Sequence, residues 1–231
     1  MRQFLFIVFF LSFPGAVSLT GRPERPEVKL EARMDAPALY DSMALDGVLS
    51  KEAFCQAVTG YWKIKDRKRE VLTVIDFSKP STEPRLYVFD MKLHKILFSS
   101  VVSHGRNSGN NYATSFSNEQ GSYKSSLGFY LTETTYQGKN GYSLILNGLE
   151  KGINDKARVR SIVVHGAAYA DPAVARNGGR LGRSLGCPAL PPALSRPIID
   201  AIKGGSVMYI YAKTADYLSH SSVLNPGMLV R

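Results

Sequence analysis

Residues 161–190 read SIVVHGAAYADPAVARNGGRLGRSLGCPAL. An apolar run, Ile162-Val163-Val164, ends in His165-Gly166, and a Gly- and Arg-rich stretch then leads to Ser184-Leu185-Gly186-Cys187-Pro188. A strand thus delivers an imidazole, and a glycine-flanked loop presents a thiol. These are the parts of a cysteine nucleophile with its general base. Only the thiolate attacks well, and a free thiol is mostly protonated at neutral pH. A neighbouring imidazole can take the proton or hold an ion pair. Gly186 permits backbone angles that a Cβ resists, and main-chain N–H groups there can form an oxyanion hole. The bland reading of the same residues is a buried thiol and a structural histidine.

The elements that must hold these groups are mostly strands. VLTVIDF, RLYVFD, KILFSSVV, GFYLTETTY, YSLILNG, SIVVHG and SVMYIYA are short, rich in β-branched and aromatic residues, and separated by Gly, Pro, Asn and Ser. One helix, LSRPIIDAIKGG, lies between the last two and stops at Gly204-Gly205. The pattern predicts a mainly β (α+β) fold, a sandwich or barrel-like sheet pair. Before it, Ala53, Ala57 and Tyr61 with Phe54, Val58 and Trp62 make a helical stripe starting from Ser50. The stripe reads as core.

Residues 1–18 have the marks of a secretory signal: Arg2, an apolar Phe4–Phe13 core, a Pro14-Gly15 break, and Ala16-Val17-Ser18 as the cleavage site. An apolar run of about ten residues is too short to span a bilayer, which takes about 20. The expected order is the signal (1–18), a polar flexible leader (19–36), a helical element (37–66), one catalytic domain (67–213) and a polar tail (214–231). The mature chain is expected to be exported, to the periplasm where the host has an outer membrane, with no stable membrane insertion. The net charge of +10 favours an anionic partner or simply solubility. Nucleic acid is not expected of an exported chain. The two cysteines, Cys55 and Cys187, are expected to remain unbonded, because a nucleophile must stay free. No CxxC, zinc-ligand cluster or GxGxxG loop occurs, so neither a metal nor an organic cofactor is expected.

His165-Gly166 followed by Ser184-x-Gly186-Cys187-Pro188-Ala189 resembles the signature of the L,D-transpeptidase catalytic-domain family of bacterial cell-wall enzymes. The segments 74–90, 103–109, 125–155 and 202–211 also resemble a divergent branch of it with a GRSxGCPA-type box, so the likeness covers about residues 40–212. It implies a mixed β-sandwich, and an exported cysteine acyltransferase acting on peptidoglycan stem peptides as donor and acceptor. Cys187 would form a thioester, with His165 as base and the carbonyl of Gly166 holding the other ring nitrogen; Asp171 is the fallback orienter. Leu185 departs from the pattern, because the family usually has a histidine there, and leucine cannot donate.

Among the four histidines, His94 and His220 fall in polar segments, while His104, opening SHGRNSG, reads first as a hydrogen-bonded loop residue, with the base or a substrate-facing role as its alternatives. Ser184 and Gly186 are assigned to the thiol loop and its oxyanion hole. Arg183 and Arg180 flank that loop, where a guanidinium can clamp a substrate carboxylate or brace the loop. Tyr130, Tyr136 and Tyr142 line the cleft or pack. Two alternatives stand beside transfer. One is an L,D-carboxypeptidase that hydrolyses the same acyl-enzyme, and the other a non-catalytic wall-binding module.

Overall fold

The computed structural model describes residues 34–225. The signal and most of the leader expected from the sequence, and the end of the tail, lie outside the described residues.

The chain opens with helices α1 (Ala36–Ser42) and α2 (Lys51–Lys63). Asp35 caps the first through the Ala38 N–H and Ser50 the second through the Ala53 N–H. The stripe on α2 buries Ala53, Phe54, Ala57, Val58 and Tyr61 as its spacing predicts. Gly60 lies where α2 meets the sheet: a Cβ there would sit 2.1 Å from Cζ of Phe129. The helix therefore carries a residue of poor helix propensity because an aromatic ring needs the space.

Eight strands follow: β1 (Val71–Asp76), β2 (Leu86–Asp90), β3 (Lys95–Ser100), β4 (Gly128–Gly138), β5 (Gly141–Gly148), β6 (Val163–Gly166), β7 (Ala189–Leu190) and β8 (Val207–Tyr211). They form one sheet in the order β3-β2-β1-β8-β4-β5-β6-β7. The β1–β8 and β6–β7 pairs are parallel and the others antiparallel. Every residue of β1 and β8 is buried, polar Thr73 and Asp76 included, so these central strands are mostly apolar and do not alternate. Helix α2 packs on β1 and β8, and α4 (Pro192–Ile202) packs on β6, β5 and β1.

The mainly β architecture expected from the sequence is present, and the strands form one continuous sheet that curls toward closure. Past β3 the chain returns to the far edge. Ser103 bridges Ala189 of β7, and Gly105 bridges Ser184. These bridges join the two ends of the sheet and make it nearly a closed barrel. Two short helices were not anticipated: α3 (Pro172–Gly178), capped by Asp171, and α5 (Ala215–His220) within the polar tail. Helix α5 is docked by buried Glu150, which accepts from Tyr217 Oη (2.9 Å), the Ser221 hydroxyl and the Phe129 N–H (2.8 Å). Among the described residues no helix is long and apolar enough to cross a membrane.

Candidate active site

Cys187 and His165 reach one cleft from neighbouring elements. His165 is in β6, and its backbone registers with Ala189 of β7, two residues past the thiol. Both side chains line a cleft of about 1030 Å³, with Tyr123, Tyr136, Lys139, Arg160 and Tyr169 among its other walls. Cys187 is 8% exposed and His165 5%.

The thiol loop is held from both sides. The Ser184 N–H donates to His104 O (2.9 Å), and the Arg106 N–H donates to Ser184 O (2.8 Å). Within the loop, Ser184 Oγ donates to Cys187 O (2.6 Å) and accepts from the Gly186 N–H (3.0 Å). Ser125 Oγ donates to Gly186 O (3.1 Å). Gly186 has φ +128°, and a Cβ there would lie 2.9 Å from Lys124 O, so the turn requires glycine. One expectation is corrected: the Gly186 N–H is consumed by Ser184 and is not free for an oxyanion. The N–H of Cys187 itself has no acceptor among the described residues.

The Cys187 sulfur accepts from the Val163 N–H (3.5 Å) and donates to Ser161 O (3.7 Å). Burial pushes its pKa up, opposed by the Val163 N–H and the charge of Arg160. The resting sulfur is therefore a thiol and needs a base. His165 Nδ1 lies 2.9 Å from Gly166 O. A carbonyl only accepts, so Nδ1 carries the proton and Nε2 keeps its lone pair. Burial lowers the His165 pKa, partly offset by that carbonyl. At neutral pH the imidazole is thus neutral, with Nε2 ready to accept a proton.

The remaining candidates separate cleanly. His104 is 1% exposed and does not line the cleft. Its Nδ1 accepts from Arg85 Nη2 (2.8 Å) and its Nε2 donates to Gly109 O (3.3 Å). Burial and Arg85 lower its pKa to about 4. It is a neutral core residue, which corrects both its substrate-facing and its base reading. Tyr130 is corrected as well: it is fully buried and its Oη donates to Ser126 O (3.1 Å), out of reach of any substrate. Tyr142 packs, with its Oη on Asp200 (2.7 Å) and the Arg196 guanidinium over its ring, whereas Tyr136 lines the cleft. Arg183 lines the cleft too, while its Nη1 donates to Arg106 O, Gly109 O and Asn110 Oδ1. Brace and cleft cation are thus one side chain. Arg180 bonds Leu181 O and does not line the cleft, so the structure takes it out of the set facing the thiol. Asp171 caps α3 and does not orient His165. Leu185 stands 57% exposed at the cleft wall.

Arg160 was not singled out by sequence. Its neighbours Ser117, Ser122, Lys124 and Ser126 lie more than thirty positions away along the chain, and no local pattern announces it. Among the described residues no group of three or more His, Cys, Asp or Glu side chains could hold a metal ion.

Residues 46–211 match the profile of the L,D-transpeptidase catalytic domain. Comparison with curated proteins gives no match. Similar solved structures include an L,D-transpeptidase from Mycobacterium smegmatis (15% identity, 62% of this chain and 59% of that one, TM-score 0.39). The helical cell shape determining protein Pgp2 from Campylobacter jejuni is another (15% identity, 69% and 56%, TM-score 0.41). A third is L,D-transpeptidase 3 from Mycobacterium tuberculosis (14% identity, 62% and 61%, TM-score 0.37). The chain spans less than two thirds of the length of each.

Proposed function

Because the chain belongs to the L,D-transpeptidase catalytic-domain family, we propose that it is an exported cysteine acyltransferase acting on peptidoglycan stem peptides. The observation that carries this reading is the pairing in one cleft of a buried thiol with a neutral histidine whose Nδ1–H is fixed on Gly166 O.

In the proposed reaction His165 Nε2 takes the proton of Cys187 as sulfur attacks the carbonyl carbon of the donor amide. The carbonyl π electrons move to oxygen, and the Cys187 N–H, which has no other acceptor among the described residues, would donate to the resulting oxyanion. Collapse restores the carbonyl and breaks the C–N bond, and the amine leaves with the proton from His165. The product is a thioester on Cys187. An acceptor amine then attacks the thioester carbon, gives up its proton to His165, and expels the sulfur, which recovers a proton. No step calls for a metal or an organic cofactor. Ser184 supports this chemistry by fixing the loop through two hydrogen bonds, and the cationic walls Lys139, Arg160 and Arg183 suit a carboxylate-bearing peptide.

The test incubates mature protein with purified sacculi and analyses the digested wall by mass spectrometry. New crosslinked dimers are expected from the wild type and none from Cys187→Ala, with His165→Ala slowed about 10²–10⁴-fold. Tripeptides without dimers would assign hydrolysis instead of transfer. Dimers from Cys187→Ala at the wild-type rate would end the cysteine reading.

A further inference from the structure

One cation in the cleft stands apart from the others. Arg160 sits in the turn that leads into β6, next to Ser161, whose carbonyl accepts from the Cys187 thiol. Its guanidinium is locked in place. Nη1 donates to Ser117 O (2.7 Å) and Ser126 Oγ, and Nη2 to Lys124 O and Ser122 Oγ (3.4 Å). All four acceptors are neutral. Among the described residues no carboxylate forms an ion pair with Arg160. The side chain is about half-buried and lines the cleft with Cys187, and a Cβ placed on Gly186 would be 3.4 Å from its Nη2. The Glu119 carboxylate acts on the guanidinium without forming an ion pair, and pairs with Lys156 instead. A guanidinium that is positioned, partly desolvated and without a carboxylate in ion-pair contact leaves much of its charge directed at whatever anion forms nearby.

The anion that the proposed chemistry creates there is the sulfur. Burial works against a thiolate at Cys187, the imidazole is neutral at rest, and no carboxylate lines the cleft among the described residues. We propose that Arg160 is the electrostatic partner of Cys187, a fixed positive charge that stabilises the anionic sulfur as its proton leaves. The proposal rests on Cys187 being the nucleophile. Arg160 is a positioning residue in this sense, since it acts through the field at the sulfur and through the Lys124 carbonyl that flanks Gly186. The other titratable groups facing the same cleft are His165, Lys139, Arg183, Tyr123, Tyr136 and Tyr169. Lys139 and Arg183 add positive charge from the β4–β5 turn and from the thiol loop, and both are kept constant in the test.

The test follows alkylation of Cys187 by iodoacetamide as a function of pH, in a Cys55→Ala background, with the adduct located by mass spectrometry. Sulfur displaces iodide from carbon, and the thiol proton passes to solvent. The midpoint of the rate profile reads the thiol's acidity and does not depend on turnover. Arg160→Gln should move the midpoint up by about one unit, which lowers the rate near pH 7 about tenfold. Arg160→Lys should stay closer to the wild type. A purely structural role would change the rate without moving the midpoint, so an unmoved midpoint in folded Arg160→Gln overturns the proposal. If Arg160→Gln fails to fold, the Ser122→Ala/Ser126→Ala double variant decides. It removes two anchors of the guanidinium and should raise the midpoint by a smaller amount, and an unchanged midpoint there also overturns the proposal. Wall crosslinking by Cys187→Ala is a separate measurement, so a failure of the nucleophile assignment can be told apart from a failure of the Arg160 assignment.

Discussion

Acidification should weaken this protein through His104. In the fold its pKa is lowered to about 4, from 6.5 in the unfolded chain, by burial and by the Arg85 guanidinium donating to Nδ1. Because the folded value is the lower one, the stabilisation is complete above pH 6.5 and is lost as pH falls toward 4. The unfolded chain takes up the proton first, which favours unfolding. For a single site the loss is RT ln[(1 + 10^(6.5−pH))/(1 + 10^(4−pH))], about 2 kcal/mol at pH 5 and about 3 kcal/mol at pH 4. The side chain is 1% exposed, so screening by solvent takes little from this figure. The assay is urea unfolding, followed by circular dichroism, of wild type and His104→Gln at pH 7.5, 5 and 4. His104→Gln removes the titration and should be the less stable protein at pH 7.5, since the buried ring that packs edge-on against Phe77 is lost. The gap between the two should then shrink by about 3 kcal/mol by pH 4. Taking the difference also removes the contribution of His165, whose pKa is lowered in both proteins. A gap that stays constant from pH 7.5 to 4 would refute the assignment of His104 as a buried neutral residue.

Two further outcomes follow from close contacts. Gly60→Ala gains about 1 kcal/mol of helix propensity, but its Cβ falls 2.1 Å from the Phe129 ring, itself stacked on Tyr209 at 4.3 Å. The net effect should be a destabilisation of about 1–3 kcal/mol, measured by thermal unfolding, and a Tm at or above wild type would contradict the packing. Ser184→Ala removes the hydroxyl that ties the Gly186 N–H to the Cys187 carbonyl. It should lower kcat about ten- to hundredfold through a loosened thiol loop, corresponding to about 1–3 kcal/mol, with KM little changed; a rise in KM at constant kcat would make Ser184 a substrate contact.

Some of this was readable along the chain and some was not. Seven of the strands announced themselves because each is a run of β-branched and aromatic residues bounded by turn formers. The eighth, Ala189–Leu190, did not, since two residues carry no period and the strand exists only by pairing with β6 and Ser103. His165 and Cys187 were legible because a buried apolar strand and a Gly-flanked loop leave local marks. The fate of His104 was not, because Arg85, which decides it, is a fully buried cation lying nineteen positions away. Arg160 was invisible for the same reason. Tyr130 was misassigned because an aromatic residue in a β pattern carries no record of which face of a nearly closed sheet it occupies. The short helix α5 was hidden in a polar tail, and its anchor is Glu150 on a distant turn.

The bridges that join the two ends of the sheet also bear on the order of assembly. Ser103 and Ala189 come from the two edges of the sheet and lie 86 positions apart in the chain (189 − 103), and contacts of such long separation form late, after the entropy of closing the intervening chain has been overcome. The thiol loop hangs on these contacts through His104 O and Ser184 O. A chain with most of its strands already formed would therefore still hold Cys187 in an unorganised segment. On the proposed mechanism acyl transfer starts only when the barrel shuts, so turnover, unlike secondary-structure content or simple alkylation of the thiol, would register complete folding.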